Sequence, residues 1–380
     1  MDFFDLFLWY SAWLYFFGLT VLAIGFCLYK PRRASSYNPL VSVVIAARNE
    51  EVNIDRCLAA LSEQTYPADR MEIIVVNDRS TDGTENVVQT WSKKIPHLKI
   101  VSIREASKSM APKKFAVDSG IRNSKGEIIL CTDADCRPER AWVATMIEHF
   151  TPEVGMVLGY SPLWPVHPNS LFENFVACES IGLGVVAAST TALHKPWTVT
   201  GRSWGYRRGV YDEVGGFTKI ALQVSGDDDL LLGLMKITKW KTAYAIGEQA
   251  NVRTDPPKSI NHFRNQKTRQ LSKTRLYSFK MQISVMWYYL FNVALIVSLF
   301  FAVLYSEQWR TVVWAWSLKM FSDVIFLSAG AYRFRVLLFL KYYPFLVLIH
   351  PVYVLTFGLL GRFGRYTWKD TPVAQGEARS

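Results

Sequence analysis

A pair of carboxylates in the middle of the chain has the spacing of a divalent-cation site. Asp133 and Asp135 follow the apolar run 128–132 and are separated by one residue. Two carboxylates placed in this way beyond a strand can both approach one cation through a turn. Carboxylate oxygens suit Mg²⁺ or Mn²⁺, which usually take waters and diphosphate oxygens as their other ligands. The sequence therefore predicts a site for Mg²⁺ or Mn²⁺ at Asp133 and Asp135.

Two further polar clusters follow apolar runs nearer the N-terminus. Arg48 and Glu50 come after the run 41–46, and Asp78 comes after the run 72–77. Each cluster taken alone is better explained by turn formation or helix capping, in which such residues are common. Their recurrence at successive apolar runs makes coincidence less credible and favours one shared binding site.

Three successive carboxylates, Asp227, Asp228 and Asp229, open an apolar helical run at 230–237. Neighbouring side chains on a helix are turned by about 100°, so the three cannot all face one site. Acidic residues at a helix N-terminus also stabilise the helix through its exposed N–H groups. The segment therefore predicts either a catalytic carboxylate or a capped helix start.

Short β-branched runs alternate with helical patterns between residues 41 and 132. We expect strands at 41–46, 72–77, 100–103 and 128–132, with helices between them, one of them at 113–122. Strands joined through helices at this spacing pair in parallel with right-handed crossovers. Ligands bind at the carboxyl ends of the strands in such sheets, which is where the polar clusters fall.

The chain begins with an apolar run at 3–29 that is long enough to cross a bilayer. Its acidic start and its length distinguish it from a cleaved signal peptide. Lys30, Arg32 and Arg33 follow at once, and basic residues stay on the cytoplasmic side. We expect an uncleaved anchor that places the following domain in the cytoplasm, in an integral protein of the cell inner or plasma membrane.

Three more apolar runs, 285–305, 312–332 and 336–360, occupy the C-terminal part. The second contains Lys319 and Asp323, which can pair on one helix face because they are four residues apart. The third contains prolines, so a kinked, interfacial or re-entrant segment is an alternative to a span. If all three cross the bilayer, the basic tail lies outside, against the positive-inside rule; if one is re-entrant, the tail returns to the cytoplasm.

The composition excludes several other classes of protein. Half of the 380 residues are hydrophobic, which excludes a disordered chain. Lys and Arg exceed Asp and Glu by 43 to 32, a net charge of +11, but no nucleic-acid motif accompanies this charge. Basic residues beside membrane spans are better explained by the anionic leaflet. The five cysteines have no metal-binding spacing and are expected to be reduced.

Five segments together resemble the family 2 glycosyltransferases. They are 43–50 (VVIAARNE), 75–84 (VVNDRSTDGT), 132–135 (TDAD), 225–230 (SGDDDL) and 266–269 (QKTR), and they occur in the family's order. The resemblance implies an inverting transferase with a GT-A fold, an activated nucleotide-sugar donor and a divalent metal. The fold class that follows is α/β, with a mixed, mainly parallel nucleotide-sugar-binding sheet flanked by helices and with N- and C-terminal transmembrane helices.

The resemblance also implies roles for individual residues. Asp227 matches the general base, with Asp228 as the second choice, although Gly226 stands where the family usually has Glu. Asp135 matches the direct metal ligand, with Asp133 beside it. Glu50 and Asp78 match residues that hold the nucleoside, most often uridine, and Pro112 replaces the usual Gly before Lys113. The full set expected at the nucleotide sugar is Ala46, Arg48, Glu50, Asp78, Lys113, Asp133 and Ala134.

The acceptor side departs further from the family pattern. Gln266 and Arg269 are expected near the acceptor or the diphosphate, but Gln270 stands where the family has a Trp that commonly binds the acceptor saccharide. Gln270 could equally be an exposed helix residue. Trp204 offers a flat face for a sugar ring or a lipid headgroup, and it could equally be a core residue.

These observations predict a five-part chain. Its segments are an anchor at 1–33, a cytoplasmic GT-A domain at 39–258, an interfacial amphipathic helix at 259–282, membrane helices at 283–362 and a polar tail at 363–380. Lys267, Lys273, Arg275 and Lys280 would hold the helix at 259–282 against the leaflet. The expected partners are a UDP-linked nucleotide sugar, a lipid or lipid-linked acceptor, and the bilayer; no nucleic acid is expected. A processive polysaccharide synthase and a non-catalytic nucleotide-sugar-binding subunit are the alternatives.

Overall fold

The computed structural model describes residues 3–34, 36–305, 309–368 and 371–373. The helices are α1 (Phe3–Leu28), α2 (Glu51–Ser62), α3 (Thr84–Ser92), α4 (Pro112–Arg122), α5 (Trp142–Ile147), α6 (Leu171–Ala192), α7 (Arg208–Glu213), α8 (Asp229–Met235), α9 (Ile260–Ser272), α10 (Phe279–Leu304), α11 (Trp309–Arg333) and α12 (Tyr343–Phe363). The strands are β1 (Val41–Ala47), β2 (Met71–Asp78), β3 (Leu98–Ile103), β4 (Ile128–Cys131), β5 (Cys136–Pro138), β6 (Val154–Leu158), β7 (Trp204–Arg207), β8 (Lys241–Tyr244), β9 (Val252–Thr254), β10 (Tyr366–Trp368) and β11 (Thr371–Val373).

A seven-stranded sheet with the order β3-β2-β1-β4-β7-β6-β8 forms the centre of the domain. The strands β1 to β4 are parallel, as the sequence predicts, because each is joined to the next through a helix. Nearly every residue of β1 and β2 is buried, which explains their continuous apolar runs. Strand β7 runs antiparallel between β4 and β6 and makes the sheet mixed. The carboxyl ends of β1, β2 and β4 therefore lie together along one edge.

Five helical segments are long and apolar enough to cross a membrane: α1, α6, α10, α11 and the segment Leu337–Phe363, which ends in α12. Three of them pack side by side along their lengths. Trp9 stacks on Trp314, Phe4 packs on Phe301, and Tyr15 packs on Phe291. These ring contacts join the first half of α1 to α10 and α11.

A buried polar cluster joins these helices. Lys319 and Asp323 form an ion pair of 2.6 Å, as their spacing predicts, and the Lys319 side chain has no exposed surface. Tyr15 of α1 donates to the other Asp323 oxygen at 2.6 Å, and Tyr343 of α12 donates to Asp323 at 3.4 Å. Breaking a buried pair of this kind by removing one partner leaves an uncompensated charge and costs several kcal/mol. The cluster is thus a stabilising contact among three helices.

The segment Leu337–Phe363 begins and ends against the catalytic domain. At its start, Phe339 packs on Trp164, and Tyr342 donates to the carbonyl oxygen of Pro168. Near its end, Phe357 packs on Phe263 of α9, a helix that follows the sheet directly. Both ends of the segment therefore contact the domain, and the basic end of the segment lies beside it.

Helix α6 also lies between the sheet and the apolar helices. Tyr160, just beyond β6, contacts the Ser180 hydroxyl at 3.2 Å. On its other side, α6 contacts α1, α11 and α12. The length and composition of α6 would also permit a membrane span.

The prediction of one interfacial amphipathic helix at 259–282 is wrong in two respects. The segment is divided into α9, a short 3₁₀ turn at Lys273–Leu276 and the start of α10. Two of its lysines point into the protein: Lys267 pairs with Glu179 of α6 at 2.8 Å, and Lys273 pairs with Asp229. Lys280 is exposed, while the Arg275 side chain lies outside the described part of the chain. Buried ion pairs, not the leaflet, account for Lys267 and Lys273.

Candidate active site

Lys113 connects the two acidic segments that the sequence singles out. Its Nζ atom lies 2.9 Å from Asp133 Oδ1 and 3.1 Å from Asp227 Oδ2. Lys113 comes from the first turn of α4, whereas the two carboxylates follow β4 and precede α8. Burial opposes the charged amine, but Asp133 and then Asp227 outweigh it and raise the pKa of Lys113 well above its ordinary value. Carboxylates separated by 94 residues thus share one cleft.

Asp133 and Asp135 lie at the carboxyl end of β4, as expected. Burial raises the pKa of Asp135, and the Asp133 carboxylate raises it further. The two acids are therefore close enough to repel each other. Within the described residues no cluster of three or more His, Cys, Asp or Glu side chains forms a metal site. Two carboxylates are nevertheless the usual protein contribution to Mg²⁺ or Mn²⁺ when phosphate oxygens supply further ligands. The pair fits such an ion.

The loops after β1 and β2 form the neighbouring part of the cleft. Asn49 Oδ1 accepts a bond of 2.8 Å from the Thr81 amide, and the Glu50 amide donates to Thr84 Oγ1 at 2.9 Å. Glu50 begins α2 and lies near enough to Asp135 to contribute to the raised pKa of that acid. The two loops therefore hold Glu50 beside the carboxylate pair.

The remaining residues expected at the nucleotide sugar line the same edge. Asp78 is buried at the end of β2 and accepts from Arg79 Nε at 2.7 Å. Ala46 and Arg48 are half-buried at the end of β1. Ala134 is buried in the core beneath the pair, so its side chain has almost no surface to offer a ligand.

The three carboxylates at the start of α8 differ in their main contacts, because Asp227 lies in the turn before the helix, Asp228 is its N-cap and Asp229 is its first residue. Asp227 contacts Lys113; Asp228 caps α8 by accepting from the Asp229 amide at 2.7 Å. Asp229 accepts from the Val199 amide at 2.9 Å and from Tyr277 at 3.2 Å. Burial would raise the pKa of Asp227, but Lys113 and then Lys114 outweigh it and hold that pKa below its ordinary value. Burial, with Asp229 and Asp227 adding to it, raises the pKa of Asp228 despite Lys273.

The glycine that replaces the usual Glu has a structural reason. Gly226 has a φ of 83°, in the left-handed region where a Cβ is strained. A Cβ at this position would also lie 2.9 Å from Leu230 Cγ. The turn that brings Asp227 to Lys113 therefore requires glycine immediately before the carboxylate.

Lys114 is a residue that sequence reasoning missed. Its side chain is almost fully buried, and its Nζ donates to the carbonyl oxygens of Gln223 and Ser225, the latter at 3.2 Å. Burial lowers the pKa of Lys114 to about 8. The lysine fixes the backbone just before Asp227. The sequence signal that could have indicated this role is the position of Lys114 next to Lys113.

We expect Lys114→Met to lower kcat several-fold and to leave the KM for the donor nearly unchanged. The apolar side chain retains the bulk but removes both bonds to the loop, so Asp227 loses its fixed position rather than its chemistry. Steady-state kinetics with Lys125→Met as a surface control measure this split. A raised donor KM with unchanged kcat would mean that Lys114 acts on the nucleotide instead.

Lys273 is a second residue whose role in the cleft the sequence reasoning missed. Its Nζ lies 2.5 Å from Asp229 Oδ2 and 3.5 Å from Asp228 Oδ1. Burial opposes its charge, but Asp228 and Asp229 outweigh it and raise the pKa of Lys273. Together with Tyr277, it ties the acidic turn to the segment that leads directly into α10. Only the tertiary structure could reveal these contacts, because Lys273 lies 44 residues after Asp229.

The acceptor role expected for Trp204 is contradicted by its position. The indole is 1% exposed, packs on Tyr206 at 5.1 Å and donates to the Gly201 carbonyl oxygen at 3.1 Å. It lies in the core beneath the sheet because β7 is an interior strand, and it has no face open to a sugar.

The other acceptor-side residues lie on α9. Gln266, Arg269 and Gln270 are all half-buried there.

Arg202, two residues before Trp204, is another residue that the sequence reasoning missed. It donates to the Ser161 carbonyl oxygen at 3.3 Å and is close enough to Asp135 to oppose the rise in that pKa. Arg202 thus adds a fixed positive charge beside the carboxylate pair.

Comparison with known proteins agrees with this architecture. A mannosyltransferase from Pyrobaculum calidifontis, whose structure contains GDP-mannose and Mn²⁺, superposes with a TM-score of 0.56 at 19% identity over 93% of both chains. The fold is therefore that of a GT-A glycosyltransferase with apolar helices attached.

The family follows from sequence matches. Residues 42–215 match the model of "Glycosyl transferase family 2". A probable glycosyltransferase from Bacillus subtilis, YdaM, is 34% identical over 187 residues, 48% of this chain and 44% of the relative. A beta-monoglucosyldiacylglycerol synthase from Nostoc is 26% identical over 236 residues, 60% of this chain and 49% of the relative. Residues 42–215 thus match the family 2 glycosyltransferase domain, and the chain spans about half the length of these relatives.

Proposed function

We propose that this protein transfers a sugar, with inversion, from a nucleotide-sugar donor to a lipid or lipid-linked acceptor at the cytoplasmic face of the membrane. The observation that carries the proposal is the position of the acidic turn. Asp227 shares Lys113 with Asp133 on one side, and Asp229 contacts Tyr277, two residues before α10, on the other. A base between a donor site and the start of an apolar helix is suited to a membrane-embedded acceptor.

The donor would bind along the carboxyl ends of β1, β2 and β4. Glu50 and Asp78 would hold the nucleoside, which is expected to be uridine. Lys113 and Arg202 are cations placed beside the carboxylate pair, where a diphosphate would need compensation. Asp133 and Asp135 would hold Mg²⁺ or Mn²⁺, which supplies charge stabilisation for the departing nucleoside diphosphate.

Asp227 would act as the general base of an inverting displacement. An acceptor hydroxyl oxygen attacks C1 of the sugar from the side opposite the diphosphate, and the carboxylate takes the hydroxyl proton. The new C1–O bond forms as the bond between C1 and the phosphate oxygen breaks. Asp228 is less suited to this role because it caps α8 and pairs with Lys273.

The expected product is lipid-extractable and carries one or a few added sugars. Gln270 offers no aromatic face for a growing chain, and Lys319 and Asp323 satisfy each other rather than line a pore. Membranes containing the protein are incubated with radiolabelled nucleotide sugars, and the product is partitioned into solvent and sized. A long water-soluble polymer would support a polysaccharide synthase instead. Absence of transfer across a panel of donors and lipid extracts would support a non-catalytic subunit.

We further propose three spans, α1, α10 and α11, with both the domain and the C-terminal segment in the cytoplasm. An Arg310→Cys variant, at the start of α11, should react with a membrane-impermeant maleimide in intact cells. An Arg365→Cys variant should react only after the membrane is opened. Cys27→Ser in both backgrounds removes the exposed native thiol. Labelling of position 365 in intact cells would mean that the last helix crosses the bilayer.

A further inference from the structure

A basic groove lies outside the candidate active site, where α10 begins. It has a volume of about 540 Å³. Its lining comes from the loop after α6, the segment from the end of α8 to β8, and the first turns of α10. The lining residues that carry the argument are Lys195, Trp197, Lys236, Lys241, Ser278 and Lys280.

The groove carries an excess of positive charge. Four of its lining residues are lysines and none is acidic. Lys241 pairs with Glu153 at 2.7 Å, whereas Lys195, Lys236 and Lys280 have no ion-pair partner in the described part of the chain. Partial burial of Lys236 lowers its pKa. The unsatisfied N–H groups in the first turn of α10 add partial positive charge at one end of the groove.

Exposed apolar side chains lie in or directly beside the lining segments of the groove, and together they are called its rim. Leu193 and Trp197 are each 41% exposed, Ile237 is 77% exposed, and Phe279 at the start of α10 is 76% exposed. Lysines interleaved with Trp, Phe and aliphatic side chains are typical of a surface that lies at the headgroup level of a bilayer. Because α10 enters the membrane at this point, the groove opens towards headgroups.

We propose that this groove binds the phosphate of an anionic phospholipid in the leaflet that faces the catalytic domain. The shared chemistry is that of a phosphate, which both a lipid and a free anion could supply. The exposed apolar rim favours the lipid, since free phosphate would gain nothing from Trp197 or Phe279.

The groove is connected to the acidic turn through two neighbouring residues. Thr198, next to Trp197, donates to Asp229 Oδ1 at 3.0 Å. Tyr277, next to Ser278, donates to Asp229 Oδ2 at 3.2 Å. A phospholipid in the groove would hold both segments in place, so an anionic leaflet should also increase the rate of transfer. The expected increase in the rate of transfer rests on the proposed function, whereas binding of the phospholipid in the groove does not.

Binding is tested with the full-length protein in detergent, titrated with phosphatidylglycerol that carries a fluorophore on its acyl chain. The test variant is Lys195→Gln/Lys236→Gln/Lys280→Gln. The matched control, Lys93→Gln/Lys94→Gln/Lys125→Gln, makes the same charge change at exposed lysines elsewhere on the domain. Labelled phosphatidylcholine measures binding that does not depend on headgroup charge, and excess inorganic phosphate serves as competitor.

We expect affinity for phosphatidylglycerol to fall roughly fivefold for each groove lysine removed, and to be unchanged in the control. Nucleoside diphosphate binding should be the same in all three proteins, which shows that the variants are folded. An equal loss of affinity for phosphatidylglycerol in both triple variants would contradict a binding site in this groove. Full displacement of phosphatidylglycerol by inorganic phosphate would contradict a lipid site and would indicate a site for free anions. Lipid binding without any sugar transfer would contradict the proposed function alone.

Discussion

Asp227→Asn should reduce sugar transfer by roughly 10²–10⁴-fold, the range of a lost general base. The amide has the shape of the carboxylate but cannot take the acceptor proton. Donor binding should persist, because Lys113 keeps Asp133 as a partner at 2.9 Å. Release of nucleoside diphosphate in the presence of acceptor measures the rate, and titration with nucleoside diphosphate measures binding.

Two further variants identify the base. Asp212→Asn makes the same change on the exposed surface of α7 and should retain full activity. Asp228→Asn should largely preserve the cap of α8 and the rate of transfer, since an Asn side chain can still accept from the Asp229 amide. A near-normal rate for Asp227→Asn, combined with a large loss for Asp228→Asn, would transfer the role to Asp228.

The parallel half of the sheet could be predicted from the sequence because its signals are local. Buried strands such as β1 and β2 require continuous apolar runs, and their ends require turn-forming polar residues. The placement of Glu50, Asp78 and Asp133 at one edge follows from parallel pairing alone. The different contacts of Asp227, Asp228 and Asp229 could not be predicted in this way, because only Asp229 lies within α8 and the turn at Gly226 sets the direction of Asp227.

The contacts that complete the cleft could not be predicted because they are long-range. The pattern around Lys273 suggests a basic amphipathic helix, yet the amine turns inward to Asp229 because burial with a carboxylate offsets the loss of hydration. Trp204 has the residue type of a sugar platform, and only the position of β7 inside the sheet excludes it. Likewise, hydropathy alone cannot decide whether the segment Leu337–Phe363 is re-entrant or a span.

The largest effect of ligand removal is expected at the carboxylate pair. Excess chelator should abolish transfer, and Mn²⁺ or Mg²⁺ should restore it, because two acids that repel each other require a cation before a diphosphate can approach them. Asp135→Ala should lose transfer by about 10²-fold or more. It should also make the affinity for nucleoside diphosphate insensitive to added Mn²⁺.

The binding readout separates loss of the metal from loss of the fold. Asp69→Ala removes an exposed carboxylate outside the cleft and should leave both the rate and the Mn²⁺ response unchanged. An Asp135→Ala protein that binds nucleoside diphosphate weakly, but equally with and without Mn²⁺, has kept the sites formed by Glu50, Asp78 and Lys113. Full turnover of the unmodified protein in chelator would instead mean that Lys113 and Arg202 alone stabilise the departing diphosphate. The cleft would then be one in which fixed cations, rather than a bound ion, supply the positive charge.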